Sequence, residues 1–195
     1  YLTSGLKKYS KDKYFNMSWK VKSSKSVYKN KWMEITEDLV ESEFGKEITF
    51  GVVRKKPFAL IVPWDGECLT LVKQYRYPVE SYSWEFPAGH FEHNSIEETA
   101  KEELEEEAGL RAEKIIEVGN FFLAPGHHTQ ICHVFLATGL SKGQQKLEDQ
   151  EEGMEVKKVA IKDFEKMVKK EEIKDGPTIA AFAIIMNQSL LKNNV

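Results

Sequence analysis

Residues 96–108 carry seven glutamates and a single lysine, so most of these carboxylates have no cation within the segment to offset them. Local signals make it a helix. Ser95 and Glu98 form an S-x-x-E capping box, which starts the first turn at Ile96. Ile96, Ala100 and Leu104 recur every four residues and supply a stripe to bury. Gly109 gives the stop, because helices commonly end on a left-handed residue and glycine adopts that conformation without a steric penalty. Glu103 and Glu107 are then i,i+4 neighbours on one face, with Glu106 alongside. Like charges at that spacing repel by roughly 0.2–0.5 kcal/mol per pair. A solvated acidic face is the ordinary fate of such a run. The other is a hard divalent cation, which prefers carboxylate oxygens and offsets the repulsion.

Strand-like segments surround the helix. A strand-like stretch, 83–89, feeds straight into the loop and helix. Upstream, apolar and polar residues alternate over 19–28 and 31–42, which predicts two strands around a turn at Lys29 and Asn30, with a third at 48–53. Residues 58–64 are continuously apolar and suit a central strand buried on both faces. Asp65-Gly66 is a turn signal, making 68–75 the expected hairpin partner of that strand. Beyond the acidic helix, 115–123 and 131–137 read as strands separated by the loop APGHHTQ (124–130). A polar loop over 141–153 and a last strand over 156–161 follow. An amphipathic helix over 161–170 turns Phe164, Met167 and Val168 inward, and Asp175-Gly-Pro177 opens a final helix over 178–191. Strands, helix, strands, helices in that order predict an α+β chain with its sheet enclosed by helices.

Charge and cysteine usage exclude other classes. A net charge of −3 gives no broad surface for nucleic acid, so a phosphate-bearing ligand needs local cations or metal. Cys68 and Cys132 lie in separate strand-like runs and are expected to pack as small apolar groups, which suits a reducing, cytoplasmic setting. Zinc is disfavoured because the histidine-bearing loops contain no cysteine. No apolar run reaches the length of a membrane span. Residues 1–16 are polar with no apolar core and are expected to form a flexible extension, with Met17 as an alternative start.

The strand–loop–helix resembles the Nudix box, G-x5-E-x7-R-E-U-x-E-E-x-G-U with U aliphatic. Glu103, Leu104, Glu106, Glu107, Gly109 and Leu110 match it, and Gly89 does so with a loop one residue short. LVKQYRYP (71–78) followed by WEFPAG (84–89), Pro125 sixteen residues after Gly109, and EIKDGPTIAA (172–181) are similar to the ADP-ribose pyrophosphatase branch. The resemblance covers roughly residues 19–190 and implies a Nudix fold: an α/β/α sandwich with a mixed β-sheet (55–195) behind an N-terminal antiparallel β-subdomain (17–54).

The resemblance also implies roles. Glu103, Glu107 and the Ala88 carbonyl would bind Mg2+ (or Mn2+), and Glu106 would complete the acidic cluster. Metal there would clamp a diphosphate and acidify a water for in-line attack at phosphorus. Arg76 would pair phosphate oxygens in bidentate fashion. Glu85 alternates with Trp84 and Phe86 and so faces the other way, where it would support Arg76 or a metal-bound water. Trp32 aligns with an aromatic that stacks on adenine, with Trp19 and Tyr28 as other candidates. Pro125 and Gln130 fall in the loop that borders the substrate, and the N-terminal strands would make a homodimer. The expected substrate is ADP-ribose or a related nucleoside diphosphate sugar.

Three positions depart from the pattern. Glu102 stands where relatives place an arginine that orients the carboxylates, and Lys101, about 100° round the helix, is a poor substitute. Asn94 stands at the first glutamate of the box, and Gln130 replaces a loop glutamate that in relatives serves as base or helps bind metal. Glu106, His127 or His128 are the residues left to take that role. Two readings follow: a hydrolase, which the Glu103/Glu106/Glu107 cluster favours, and a degenerate nucleotide-binding module, which the three departures favour.

Overall fold

In the computed structural model, which describes residues 19–91 and 95–191, the chain divides into two compact units after Arg54. The extension expected over 1–16, the start at Met17, and Asn94 lie outside the described residues.

The first unit is an antiparallel meander of β1 (Lys20–Lys29), β2 (Glu34–Glu41) and β3 (Glu47–Arg54). The turn expected at Asn30 forms because its side-chain oxygen accepts from the Trp32 and Met33 amides at 2.9 and 2.8 Å. Alternation in β2 buries Thr36, Asp38 and Val40, and Arg54 reaches across to Asp38 at 2.6 Å. Trp19 stacks edge-on against Phe50, whereas β1 is exposed along its whole length.

The second unit contains, in chain order, β4 (Phe58–Pro63), β5 (Cys68–Arg76), β6 (Ser81–Glu85), β7 (Ala88–His90), α1 (Ile96–Ala108), β8 (Leu110–Phe122), β9 (Ile131–Lys142), β10 (Glu155–Ala160), α2 (Ile161–Lys169) and α3 (Gly176–Asn187). One sheet has the order β7-β4-β9-β8, with β4 and β9 parallel and the outer pairs antiparallel; the other is antiparallel with the order β10-β5-β6. Burial on both faces of β4 explains its unbroken apolar run. Ala59 and Ile61 pack with Ala100, Leu104 and Ala108 of α1, and Leu60 and Val62 pack with Phe164, Met167, Ala181 and Ile185 of α2 and α3. The layered α+β architecture expected from the sequence is thus present, α1 on one face of the mixed sheet and α2 and α3 on the other.

One expectation fails. The Asp65-Gly66 turn forms, with Asp65 Oδ1 accepting from the Glu67 and Cys68 amides at 3.0 and 2.7 Å, but β4 and β5 are not a hairpin. They share a single bridge, Trp64 to Leu69, and then part into different sheets. Both edges of β4 are occupied, by β7 and β9, so β5 has no free backbone there to pair with. β8 and β9 also run further than their apolar cores suggested, as a long antiparallel pair from Leu110↔Lys142 to Phe122↔Ile131.

Candidate active site

The acidic helix forms where its local signals placed it. Ser95 Oγ accepts from the Glu98 amide at 3.1 Å, and Gly109 closes the helix at φ 64° with its amide donating to Glu105. Ala100 and Leu104 are fully buried. One fully buried leucine contributes about 1.5–3 kcal/mol, against a few tenths of a kcal/mol, roughly, for each repelling glutamate pair. Packing therefore wins, and it fixes which way the carboxylates face.

That direction is toward β7. Phe86 and Pro87 carry the chain from one sheet to the other. The Phe86 amide donates to Thr178 Oγ1 of α3 at 3.0 Å, and the Pro87 carbonyl accepts from the Ile61 amide at 2.8 Å. Ala88 and Gly89 are thereby pinned to β4 beneath α1, and two carboxylates converge on them. Glu107 Oε2 accepts from the Ala88 amide at 2.9 Å. A β-carbon built on Gly89 would lie 1.6 Å from Glu103 Oε1, so only glycine leaves room for that side chain.

Electrostatically this is an unbalanced site. Burial first, then the Glu103 charge, push the Glu107 carboxyl well above the usual carboxylate range, against the Ala88 hydrogen bond and the Arg76 charge. Among the described residues no cluster of three His, Cys, Asp or Glu side chains is close enough to hold a metal. Two carboxylates meeting at one backbone stretch do fit a hard cation that keeps several waters, as magnesium does. Glu106 is placed differently from its neighbours: it lies 3.9 Å from Lys146, partly exposed. A loop from the end of β9 covers this end of α1. Gly143 donates to the Gly109 carbonyl (2.8 Å), Gln144 to Glu105 Oε1 (3.1 Å), Gln145 Nε2 to the Glu107 carbonyl (2.7 Å) and Lys146 to the Glu106 carbonyl (3.0 Å).

Arg76 and Glu85, from the paired strands β5 and β6, form the second element. The guanidinium meets the carboxylate through Nη2 at 2.6 Å and Nε at 3.1 Å, so Glu85 supports Arg76, as one branch of the sequence reading had it. Glu85 is buried and Arg76 about half exposed. Burial raises Glu85, with Arg76 pulling the other way. Burial disfavours the Arg76 charge, yet Glu85, then Glu107 and Asp175, hold it above its ordinary value.

The 124–130 loop turns on Ala124, whose carbonyl accepts from the His127 and His128 amides at 3.1 and 2.9 Å, with Pro125 exposed at the bend and Gln130 buried. His128 Nδ1 accepts from the Gln130 amide at 3.3 Å. Thr129 Oγ1 accepts from the Lys55 amide at 3.2 Å and donates to the Lys55 carbonyl at 3.5 Å. In the first unit, Trp32 is exposed with the Lys31 ammonium 4.2 Å from its ring centre. Thr178, which holds the strand ahead of Ala88, was not singled out from the sequence. Its only signal was its place just after Asp175-Gly-Pro177, where a cap had already explained the residues present.

Comparison with known proteins agrees with the geometry. Residues 54–182 match the NUDIX domain, and residues 19–53 match the nucleoside diphosphate sugar hydrolase N-terminal domain. An ADP-ribose pyrophosphatase of Bacillus subtilis (strain 168) is 32% identical over 173 residues, covering 87% of this chain and 94% of that protein. An ADP-sugar pyrophosphatase of Mus musculus is 35% identical over 106 residues, covering 48% of this chain and 49% of that protein. A crystal structure of an ADP compounds hydrolase superposes with a TM-score of 0.81 at 18% identity, covering 91% of this chain and 97% of that one, which shows the shared fold. The chain belongs to the Nudix family, and it is a Nudix hydrolase. Among the described residues no helix is long and apolar enough to cross a membrane.

Proposed function

We propose that this hydrolase splits ADP-ribose, or a related nucleoside diphosphate sugar, into AMP (or another nucleoside monophosphate) and a sugar phosphate, with Mg2+ or Mn2+ as cofactor. Water adds at one phosphorus, the bridging P–O bond breaks, and the departing phosphate leaves with that oxygen. The observation that carries the reading is the meeting of Glu103 and Glu107 over Ala88-Gly89. A divalent cation held by those two carboxylates and the Ala88 carbonyl would offset their repulsion, neutralise the diphosphate and acidify water. The chain's own groups do the rest. Arg76, kept in position by Glu85, presents guanidinium donors to phosphate oxygens. Gln130 has a neutral side chain and serves to orient rather than to take a proton. Glu106 stands at the rim beside Lys146. A pure nucleotide binder has no use for two carboxylates crowded over one backbone stretch, so the degenerate-module reading is set aside.

The names of the two pyrophosphatase relatives support the substrate class. The match of residues 19–53 to a nucleoside diphosphate sugar hydrolase N-terminal domain supports the same substrate class; to this unit we assign the dimer contact and, through the exposed Trp32, stacking on adenine. Two free cysteines accord with a cytoplasmic setting. The test is release of phosphomonoester from ADP-ribose with magnesium by wild type, Glu103→Gln and Glu107→Gln. Each substitution is expected to lower turnover at least about a hundredfold; equal rates in all three proteins would rule out the assignment.

A further inference from the structure

In its own sheet β6 is an edge strand, with β5 on one side only. An edge strand leaves a row of backbone donors to be satisfied from elsewhere. Segment 172–178, which follows α2 and enters the first turn of α3, satisfies them. The Trp84 amide donates to the Glu172 carbonyl at 3.2 Å, and the Phe86 amide to Thr178 Oγ1 at 3.0 Å. The Lys174 amide donates back to Ser83 Oγ at 3.3 Å. Glu85 lies between the two tied amides, and its carboxylate holds the Arg76 guanidinium. Beyond Phe86, Pro87 has no amide to offer, and the amide of Ala88 is already given to Glu107. The Thr178 hydroxyl is therefore the last point at which this strap grips an amide before the carboxylate pair. Both halves of the site lie within two residues of that one hydrogen bond, Glu85 before it and Ala88 after it. The longer side is at most about 7 Å of extended chain, which leaves little slack.

The mount is rigid. Thr178 is fully buried, its amide donates to Asp175 Oδ2 at 2.8 Å in the cap of α3, and Ile173 before it and Ala181 and Ile185 after it are core residues. We infer that Thr178 is a positioning residue: through the Phe86 amide, its hydroxyl sets the separation between the Arg76 guanidinium and the Glu103/Glu107 pair, and the Lys174–Ser83 tie holds the other end of the strap. Thr178 touches neither phosphate nor metal in this role and acts only through the backbone. The inference deepens the proposed function and rests on it for what the two halves of the site do.

Wild type is compared with Thr178→Val, which keeps the shape and loses the acceptor, Thr178→Ser, which keeps the hydroxyl, and Ile185→Val. The last loosens the buried face of α3 two turns on without touching the hydrogen bond. Amide exchange is followed at Phe86 and Ala88 in the metal-free proteins, and kcat and KM for ADP-ribose are measured with magnesium. Thr178→Val is expected to speed exchange at Ala88 as well as Phe86 by about tenfold, and to lower kcat about tenfold with KM within about threefold. Thr178→Ser and Ile185→Val should stay within about threefold of wild type in every measurement. Faster exchange at Phe86 alone, with Ala88 and kcat unchanged in Thr178→Val, would overturn the inference, as would an equal loss in Ile185→Val. Should Thr178→Val fail to fold, Ser83→Ala takes its place, since it removes the Lys174 tie at a partly exposed position. A fall in kcat of about threefold with faster exchange at Ala88 is then expected, and wild-type values for both would overturn the inference. Serine-rescued exchange at Ala88 in a protein that leaves ADP-ribose intact would uphold the positioning role and refute the substrate.

Discussion

Gly89→Ala should separate activity from stability. A β-carbon there would sit 1.6 Å from Glu103 Oε1, 1.8 Å from Cδ and 2.5 Å from Cγ, whereas contacts under 3.0 Å are essentially never seen. The carboxylate must therefore retreat by about 1.4 Å, the difference between 3.0 and 1.6 Å. The colliding atoms are the far end of a flexible side chain, so the backbone of β7 can stay in place. An off-rotamer glutamate costs about 0.5–1.5 kcal/mol. Alanine returns about 0.4–1 kcal/mol by restricting the unfolded chain, because Gly89 does not occupy a left-handed conformation. The two nearly cancel, and the melting temperature should move by no more than a few degrees. Catalysis should not be spared, since a misplacement of about 1 Å can cost a hundredfold. The assay is ADP-ribose hydrolysis as a function of magnesium, alongside thermal melting. A fall in kcat of about a hundredfold, with a higher magnesium requirement and an unchanged melt, is expected. Wild-type turnover in a folded Gly89→Ala protein would show that Glu103 does not act where this structure puts it, and an unfolded variant would show that the side chain cannot yield.

Glu107 makes stability fall with rising pH in the metal-free protein. Its folded value is raised, so above about pH 4.3, the ordinary glutamate value, the folded chain keeps a proton that the unfolded chain has lost. Stability then declines until Glu107 ionises within the fold. Glu107→Gln should flatten that decline in melting curves, and magnesium should stabilise wild type most at the high-pH end; parallel slopes for the two proteins would contradict this. Thr178→Val removes the acceptor for the Phe86 amide at a fully buried position. It should cost about 1–3 kcal/mol, with amide exchange at Phe86 accelerating in step. Trp32→Ala should raise KM for ADP-ribose about tenfold while leaving kcat within about twofold, as base stacking on an aromatic contributes about 1–3 kcal/mol. An unchanged KM would remove Trp32 from the adenine site.

What could be read in advance was what local rules control. The helix over Ile96–Ala108 obeyed its cap, its stripe and its stop because each of those signals acts within four residues. The buried character of β4 was legible for a similar reason, since its apolar run is unbroken. The choice of partner strand was not. Periodicity says that 68–76 is a strand but not which edge is free to receive it, and β7 and β9 had filled both edges of β4. Side-chain company across long loops was equally hidden. Helix geometry already turned Glu106 about 100° from Glu107, but its company there, Lys146 forty residues on, was not legible. Lys55 and Lys56 are adjacent and identical in type, and only the fold makes one half-buried and leaves the other in solvent.

The loop that covers the end of α1 has a bearing on how the enzyme fails. A helix with free terminal carbonyls frays from its last turn, and here that turn contains Glu105, Glu106 and Glu107. Gly143, Gln145 and Lys146 satisfy the Gly109, Glu107 and Glu106 carbonyls, and Gln144 secures the Glu105 side chain. Unwinding is thus blocked by a segment more than thirty residues downstream in sequence. Proteolytic nicking or shortening at 143–146 would release the end of the helix that carries Glu106 and Glu107 while leaving its amino-terminal cap untouched, so a cut in a distant loop can silence the chemistry.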